Sequence, residues 1–517
     1  MSDKNEQKLK HWTVMIYLAG DNNLSQECVW AIKEMYRVGL GPETNVAVIA
    51  QFDSVAEGVP VTKYDIGKVA ALSPVNKQAG NLAVQVQSAP QHFYDEDGGL
   101  GQYGEELRGV KRFVSGTELK TFILKTARKY PAERYMVVLS GHGAGAVGQN
   151  FLKEDSLGRY LSIPKLRWAL EEVNKGLADI PGGKRIDILG LDACAMSMTE
   201  VAYDLRHVVD YMVGAEGFEV NTGWPYHRIL QLLDGRDFKA SKGEEPAPAE
   251  YAGQIEPDAL AIEIVNKYVT YYSDFAVAGV SVDQAACDLK EADKLAAAVS
   301  DLAKTLKEKI TAELKAETAP DKKKSAILDA AILAHWRAQS YKYEEYIDLW
   351  DFCHLLEESC QDKAVRAVCG RVKTVIGYAG AREEAQRDVD MHMEDVFGTV
   401  KRCVLKSCYS GAAYQHSHGL SIYFPWAQVS HEYKNLRFAR KTGWYGFLKF
   451  YVDHSRRRAR QGSGKLHHIF LAHDPGTIVR NNVPFNKMGE LITPKVKNPP
   501  NEFYTDDCVF LLCNSLE

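Results

Sequence analysis

Tyr135-Met136-Val137-Val138-Leu139-Ser140-Gly141-His142-Gly143 and Ile186-Asp187-Ile188-Leu189-Gly190-Leu191-Asp192-Ala193-Cys194 decide how this chain is read. Each begins as a short, nearly continuous apolar run and stops at small or polar residues. Such runs are the pattern of strands buried on both faces, as in a parallel sheet flanked by helices. Between them lie a polar, glycine-punctuated loop and a helix opened by Ser162 with Pro164 in its first turn. That is the content of a single crossover, which makes the two strands parallel neighbours. In an open α/β sheet, ligands bind beyond the carboxyl ends of the strands. His142 and Cys194 both fall there.

The same pattern extends outward. Trp12–Leu18 reads as a buried strand that leaves through Ala19-Gly20-Asp21-Asn22-Asn23, followed by a helix over 24–38 and a second strand over Asn45–Phe52. Val61–Ile66 reads as a strand in a hairpin, 77–114 as long loops, and Thr117 as the cap of a helix running to Lys129. A helix is expected from near Met196 and a further strand at Tyr211–Ala215. Beyond a Pro- and Glu-rich linker, helices are predicted near 258–272, 288–316 and 325–338. Ala276–Val282 and Leu420–Phe424 read as strands between and beyond them. Lys304–Lys324 is a charged, solvated helix, and Arg456-Arg457-Arg458-Ala459-Arg460 a solvated helix end or linker.

Composition narrows the function. The chain has 517 residues, 45% hydrophobic and 25% charged, with a formal net charge of -5. No strong positive field draws it to nucleic acid or an anionic membrane. Met1–Lys10 is polar and lacks the apolar core of a secretion signal, and no uninterrupted apolar stretch is long enough to span a bilayer. A cytoplasmic protein is the expectation. Ten cysteines, irregularly spaced and without a CxxC pair, suggest neither a disulfide framework nor a zinc site; no metal is expected. Most should be buried apolar thiols.

A lone Cys at a strand end is ordinarily one of those, and a lone His in a glycine-rich turn is ordinarily structural. Placed together at matching strand ends, they acquire a second meaning. A thiolate is a nucleophile, and a neighbouring imidazole can move the proton that peptide cleavage requires. Gly143 lets backbone approach a substrate carbonyl, and its N–H with that of Cys194 could form an oxyanion hole. From these residues alone, the reactive and the structural readings both stay open.

Several ordered motifs tip the balance. Tyr17-Leu18-Ala19-Gly20-Asp21-Asn22-Asn23-Leu24, Ser140-Gly141-His142-Gly143, Leu191-Asp192-Ala193-Cys194-Ala195-Met196 and Thr222-Gly223-Trp224-Pro225-Tyr226 resemble the clostripain (C11) cysteine peptidases of clan CD. Asp348-Leu349-Trp350-Asp351-Phe352 and Gly419–Pro425 match later landmarks, so the likeness covers roughly residues 12–455. It implies an α/β fold with a caspase-like, mainly parallel sheet flanked by helices and a helical or mixed C-terminal half. The chain then divides into a catalytic core over 1–235, a linker over 236–257, a part completing the fold over 258–455, and an appendage over 456–517. It further implies a dyad of His142 and Cys194 and cleavage of protein or peptide substrates after Arg or Lys. Asp192 matches the family's acid for the basic side chain. A second acid often precedes Gly-Trp; here Thr222 stands in its place, which favours Arg over Lys, because a guanidinium fork is satisfied by one carboxylate plus neutral acceptors. Glu216 and Glu219 are nearby acids that could compensate, each read as a surface or loop-bracing residue.

Some relatives cut themselves in the loop after the His. Here that loop holds Lys153 and Arg159, the two candidate cleavage positions, and an upstream activating protease is the alternative. Calcium occurs as a cofactor in the family, but no EF-hand loop is present; Asp388, Asp390, Glu394 and Asp395 are read as a solvated acidic turn. Two further readings remain: a non-catalytic caspase-like scaffold that binds partners, and a thiol acyl-transferase or small-amide hydrolase on the same frame.

Overall fold

The computed structural model describes residues 9–41, 44–55, 61–68, 104–107, 115–149, 151–234, 254–275, 279–316, 325–341, 345–377 and 402–461. Its centre is a 9-stranded sheet in the order β11-β8-β7-β6-β5-β1-β2-β3-β4. The strands are β1 (Lys10–Gly20), β2 (Val46–Ser54), β3 (Thr62–Asp65), β4 (Gly104–Glu106), β5 (Ala132–Ser140), β6 (Ile186–Asp192), β7 (Val209–Gly214), β8 (Val282–Asp288) and β11 (Val404–Ser410). The run from β2 through β1, β5 and β6 to β7 is parallel; β3 and β4 on one side and β8 and β11 on the other are antiparallel. β9 (Ser340–Tyr341), β10 (Tyr346–Asp348) and β12 (Ser421–Tyr423) form a small second sheet.

Both faces of the large sheet are covered. Along β1, Trp12, Val14, Ile16 and Leu18 enter one apolar cluster, and Met15, Tyr17 and Ala19 the other. This is the period-2 alternation of a strand buried on both sides, which explains why its sequence shows no polar face. On the Trp12 side pack α1 (Ser25–Arg37), α5 (Tyr226–Asp234) and α6 (Pro257–Ser273). On the Tyr17 side pack α2 (Gly116–Lys129), α3 (Ile163–Leu177), α4 (Thr199–Leu205), α7 (Ala292–Ala316), α8 (Ala326–Arg337), α9 (Leu349–Ser359) and α10 (Lys363–Ile376). α11 (Arg437–Lys441) and α12 (Trp444–Gln461) close the chain of described elements. No helix among the described residues is long and apolar enough to cross a membrane.

Several local expectations need correction. The strand read over 276–282 lies at Val282–Asp288; its buried Asp283 and Gln284 interrupt the apolar run that marks a central strand. Ser115, not Thr117, caps α2, its hydroxyl accepting from the N–H of Glu118 at 3.1 Å. Within 77–114, residues 104–106 are a strand paired with β3. The helix after Cys194 begins at Thr199 rather than Met196. The helix from Trp444 continues through the Arg456–Arg460 run, so the boundary drawn at 456 cuts an element. The linker core (235–253), the acidic cluster at 388–395 and residues 462–517 lie outside the described residues.

Candidate active site

β5 and β6 are in register with Ser140 opposite Asp192. His142 and Cys194 each follow two residues beyond that pair, and Gly141 N–H donates to Asp192 O at 3.1 Å, so the register persists past the strand ends. Gly143 lies against the peptide of Cys194: a Cβ on it would sit 2.1 Å from Cys194 O and 2.5 Å from Cys194 N. Only glycine fits there, whatever its φ. The N–H groups of Gly143 and Cys194 donate to no protein group among the described residues. The structure therefore brings together the four groups the sequence singled out at these two strand ends.

The turn at Cys194 is unusual. Ala195 adopts φ 57°, a left-handed conformation that costs a non-glycine residue energy and persists only where neighbours enforce it. They do so here: Ala195 N–H donates to Gly217 O at 2.7 Å and Ser197 N–H to Ala215 O at 2.8 Å. Cys194 itself is fully buried, with Glu219 N–H directed at its Sγ at 3.4 Å. In this form the thiol is closed to solvent. Beneath the turn, Ser197 Oγ–H donates to Gly419 O at 2.7 Å, and Gly419 N–H donates to a Glu216 carboxylate oxygen at 2.6 Å.

His142 is 8% exposed. Its Nε2 lies 2.6 Å from Asn23 Oδ1. An amide oxygen only accepts, so this nitrogen carries the proton and Nδ1 holds the lone pair. Nδ1 is buried and has no partner. Burial lowers the imidazole's pKa, an effect Asp155 opposes and Lys153 reinforces. A neutral ring with a free basic nitrogen is the form able to take up a proton. Asn23 was quoted above only as part of a turn; nothing in its residue type distinguishes it from Asn22. Asn22 turns elsewhere, donating through Nδ2 to Ala19 O and Lys153 O, both at 2.9 Å.

Asp192 is buried beside a pocket lined by Glu27, Cys28, Ser140, Glu219, Thr222 and Gly223, among others. Its Oδ1 accepts from Trp224 N–H at 3.1 Å and its Oδ2 from the Tyr226 hydroxyl at 2.7 Å. Gly223, at φ 66°, passes so close that a Cβ would lie 2.9 Å from either carboxylate oxygen. Thr222 lines the same pocket, and so does Glu219, which is 2% exposed rather than at the surface and braces Trp224 and Gln284 through Oε1. Glu216 is likewise fully buried rather than at the surface.

The loop after His142 is less loose than its glycines suggest. Leu152 N–H donates back to His142 O at 2.8 Å, Asp155 N–H to Asp21 O at 2.8 Å, and Ser156 Oγ–H to the Asp21 carboxylate. Phe151 and Leu152 are buried. The turn 155–159, bridged between Glu154 and Arg159, stands exposed, as does Gln149. Arg159 lies on that turn; Lys153 is half-buried with its ammonium 3.2 Å from Asp155. No group of His, Cys, Asp and Glu side chains among the described residues is arranged to hold a metal ion.

Comparison with known proteins shows the family of the chain. The profile of the clostripain family matches residues 16–450. Clostripain of Hathewaya histolytica is 24% identical over 332 residues, and the match spans 59% of this chain and 58% of that protein. A secreted C11 cysteine protease from Bacteroides thetaiotaomicron, solved with an irreversible peptide inhibitor, superposes with a TM-score of 0.50 at 16% identity. That superposition covers 86% of this chain and all of the other. An inactive zymogen C11 protease from Parabacteroides distasonis gives 0.49 at 19% identity, covering 84% of this chain and 99% of its own. At 16% identity, the likeness to the Bacteroides thetaiotaomicron protease speaks for the fold alone.

Proposed function

Since the chain belongs to the clostripain family, we propose that it is a cysteine endopeptidase in which Cys194 is the nucleophile and His142 its proton carrier. The observation that carries this is the register of β5 and β6, which sets the two side chains at equivalent places beyond adjacent parallel strands. Asn23 holds the His142 ring by Nε2, leaving Nδ1 to receive the thiol proton and return it to the leaving amine. Attack of Sγ on the scissile carbonyl forms a tetrahedral oxyanion, to which the N–H groups of Gly143 and Cys194 would donate. Collapse releases the amine and leaves an acyl-enzyme, which water hydrolyses.

The buried Asp192 at the pocket supports cleavage after a basic residue, Arg ahead of Lys. Activation by a cut in the loop after His142 fits the exposure of Arg159 better than that of Lys153. Because that loop is pinned to Asp21 and Asn22, next to the residue that holds His142, a cut there would reach the dyad.

A panel of peptide amides ending in Arg, Lys, Asp and a neutral residue tests the proposal. Hydrolysis confined to the basic members, and lost in Cys194→Ala, is expected. Turnover by a folded Cys194→Ala protein, or preference for Asp, would overturn it. No hydrolysis of any member, with specific capture of folded partners, would favour the scaffold reading.

A further inference from the structure

The pocket beside Asp192 is more acidic than its motif announces. Glu219 Oε1 accepts two N–H groups, from Trp224 Nε1 at 3.3 Å and Gln284 Nε2 at 3.2 Å. Its Oε2 is buried and accepts none, although the residue is 2% exposed. A buried carboxylate oxygen without a donor is costly unless something arrives to meet it. Glu27, in the first turn of α1, also lines the pocket and also has a buried, unpartnered Oε2. Burial raises the pKa of Glu219 well above that of an ordinary carboxyl, and the neighbouring Asp192 adds to it by its charge and by a hydrogen bond between the two acids, so that a bound cation is what would ionise both.

Thr222, in contrast, is already engaged. Its hydroxyl lies 2.7 Å from that of Tyr272, and Tyr272 donates its own proton to Gly223 O at 2.6 Å. Thr222 is therefore the donor of the pair, and it brings no charge. We propose that Glu219, with Glu27 at its side, is the specificity-determining second acid of this pocket, so that the site accepts Lys as well as Arg. The inference rests on Asp192 lining the pocket for the basic side chain. An ammonium is a compact charge that needs carboxylates around it, whereas a guanidinium can be satisfied by one carboxylate and neutral acceptors. Asp192 alone would discriminate strongly; Asp192 and Glu219 together would not.

The test compares kcat/KM for matched Arg and Lys peptide amides. Wild type is expected to cleave Lys within about tenfold of Arg, one charge contact being the difference between the two heads. Glu219→Gln keeps the Oε1 acceptor for Trp224 and Gln284 and removes the acid that a bound cation would ionise. It is expected to lower Lys cleavage about a hundredfold and Arg cleavage about tenfold, chiefly through KM, as loss of one partner of a buried ion pair does. Adding Thr222→Asp to Glu219→Gln returns a carboxylate to the same pocket and should restore Lys cleavage, which a merely structural defect would not allow. Glu27→Gln, at a residue that braces nothing in the core, should shift the ratio in the same direction by about threefold and serves should Glu219→Gln not fold. A wild type that cleaves Arg but is more than a hundredfold poorer on Lys, or a Glu219→Gln ratio equal to wild type, overturns the role of Glu219 while leaving Asp192 in place. A wild type that cleaves neither basic substrate overturns both.

Discussion

The parallel half of the sheet and the part of the molecule that follows residue 257 contribute in different ways. β1, β5 and β6 each end at the site, and their exits supply Asn23, His142, Asp192 and Cys194. The described residues of the later half supply no candidate reactive group. It supplies polar residues buried behind the nucleophile turn. Asp283 on β8 accepts from Glu216 N–H at 2.7 Å and Gly217 N–H at 2.9 Å. Asp348 at the end of β10 accepts from His418 N–H, and the next residue, Gly419, donates to Glu216. Gly217 O in turn holds Ala195 in its left-handed conformation. One region carries the candidate reactive groups, and the other keeps a strained turn in place.

Variants can break or sharpen that contrast. The largest effect is expected at Cys194→Ala: no measurable peptidase turnover with an unchanged melting temperature, because removing one buried sulfur touches chemistry far more than packing. A large loss of melting temperature would show the thiol to be structural. His142→Ala should lower kcat about 10²–10⁴-fold, the range of general acid–base help. An unchanged kcat would move the proton-transfer role elsewhere in the molecule.

Asn23→Ala should cost about tenfold in kcat, a bond to a proton-carrying ring being worth one to two kcal/mol. It should also shift the acid limb of the pH–rate profile, which loss of packing alone would not do. With burial depressing the His142 pKa, that limb in wild type is expected below the ordinary histidine value of about 6.5. The buried neutral ring also stabilises the fold in a pH-dependent way. Its contribution is complete above the unfolded pKa and falls away as acid protonates the unfolded chain first.

The smallest effect tests the supporting half. Glu216 and Asp283 are both raised, Asp283 to about 7, chiefly by burial and then, in Glu216, by the charges of Asp348 and Asp283. A carboxyl raised on folding stabilises the folded state below its unfolded pKa, and that stability is lost as pH rises through the folded value. The melting temperature of wild type should therefore fall between about pH 5 and pH 8. Glu216→Gln mimics the protonated acid, able to accept from Gly419 and donate to Asp348, and should flatten that slope by a few degrees, roughly the shift produced by 1 kcal/mol. An unaltered slope would mean that another group sets the alkaline loss.

This contrast also explains what could be read from sequence. β1, β2, β5, β6 and β7 are legible because each is an apolar run, and the register that pairs His142 with Cys194 follows from their parallel adjacency. β8 is misplaced because its core positions include Asp283 and Gln284, whose burial is compensated by distant backbone N–H groups and by Glu219. Glu219 reads as a loop acid for the same reason: its burial depends on Trp224 and Gln284, one close in sequence and one far. Residue type reports what a side chain can do. Where its partners come from is a property of the fold.

The sealed thiol has a chemical consequence of its own. Oxidation of cysteine to sulfenic acid requires an exposed thiolate, and Cys194 has no solvent-accessible surface in this form. The resting protein can meet peroxide without losing its nucleophile. Any movement that admits a peptide also admits the oxidant, so susceptibility to inactivation begins together with turnover. Among the described cysteines, Cys408 is the one that is only half-buried, and burial still raises the pKa of its thiol, so it too offers little thiolate to an oxidant.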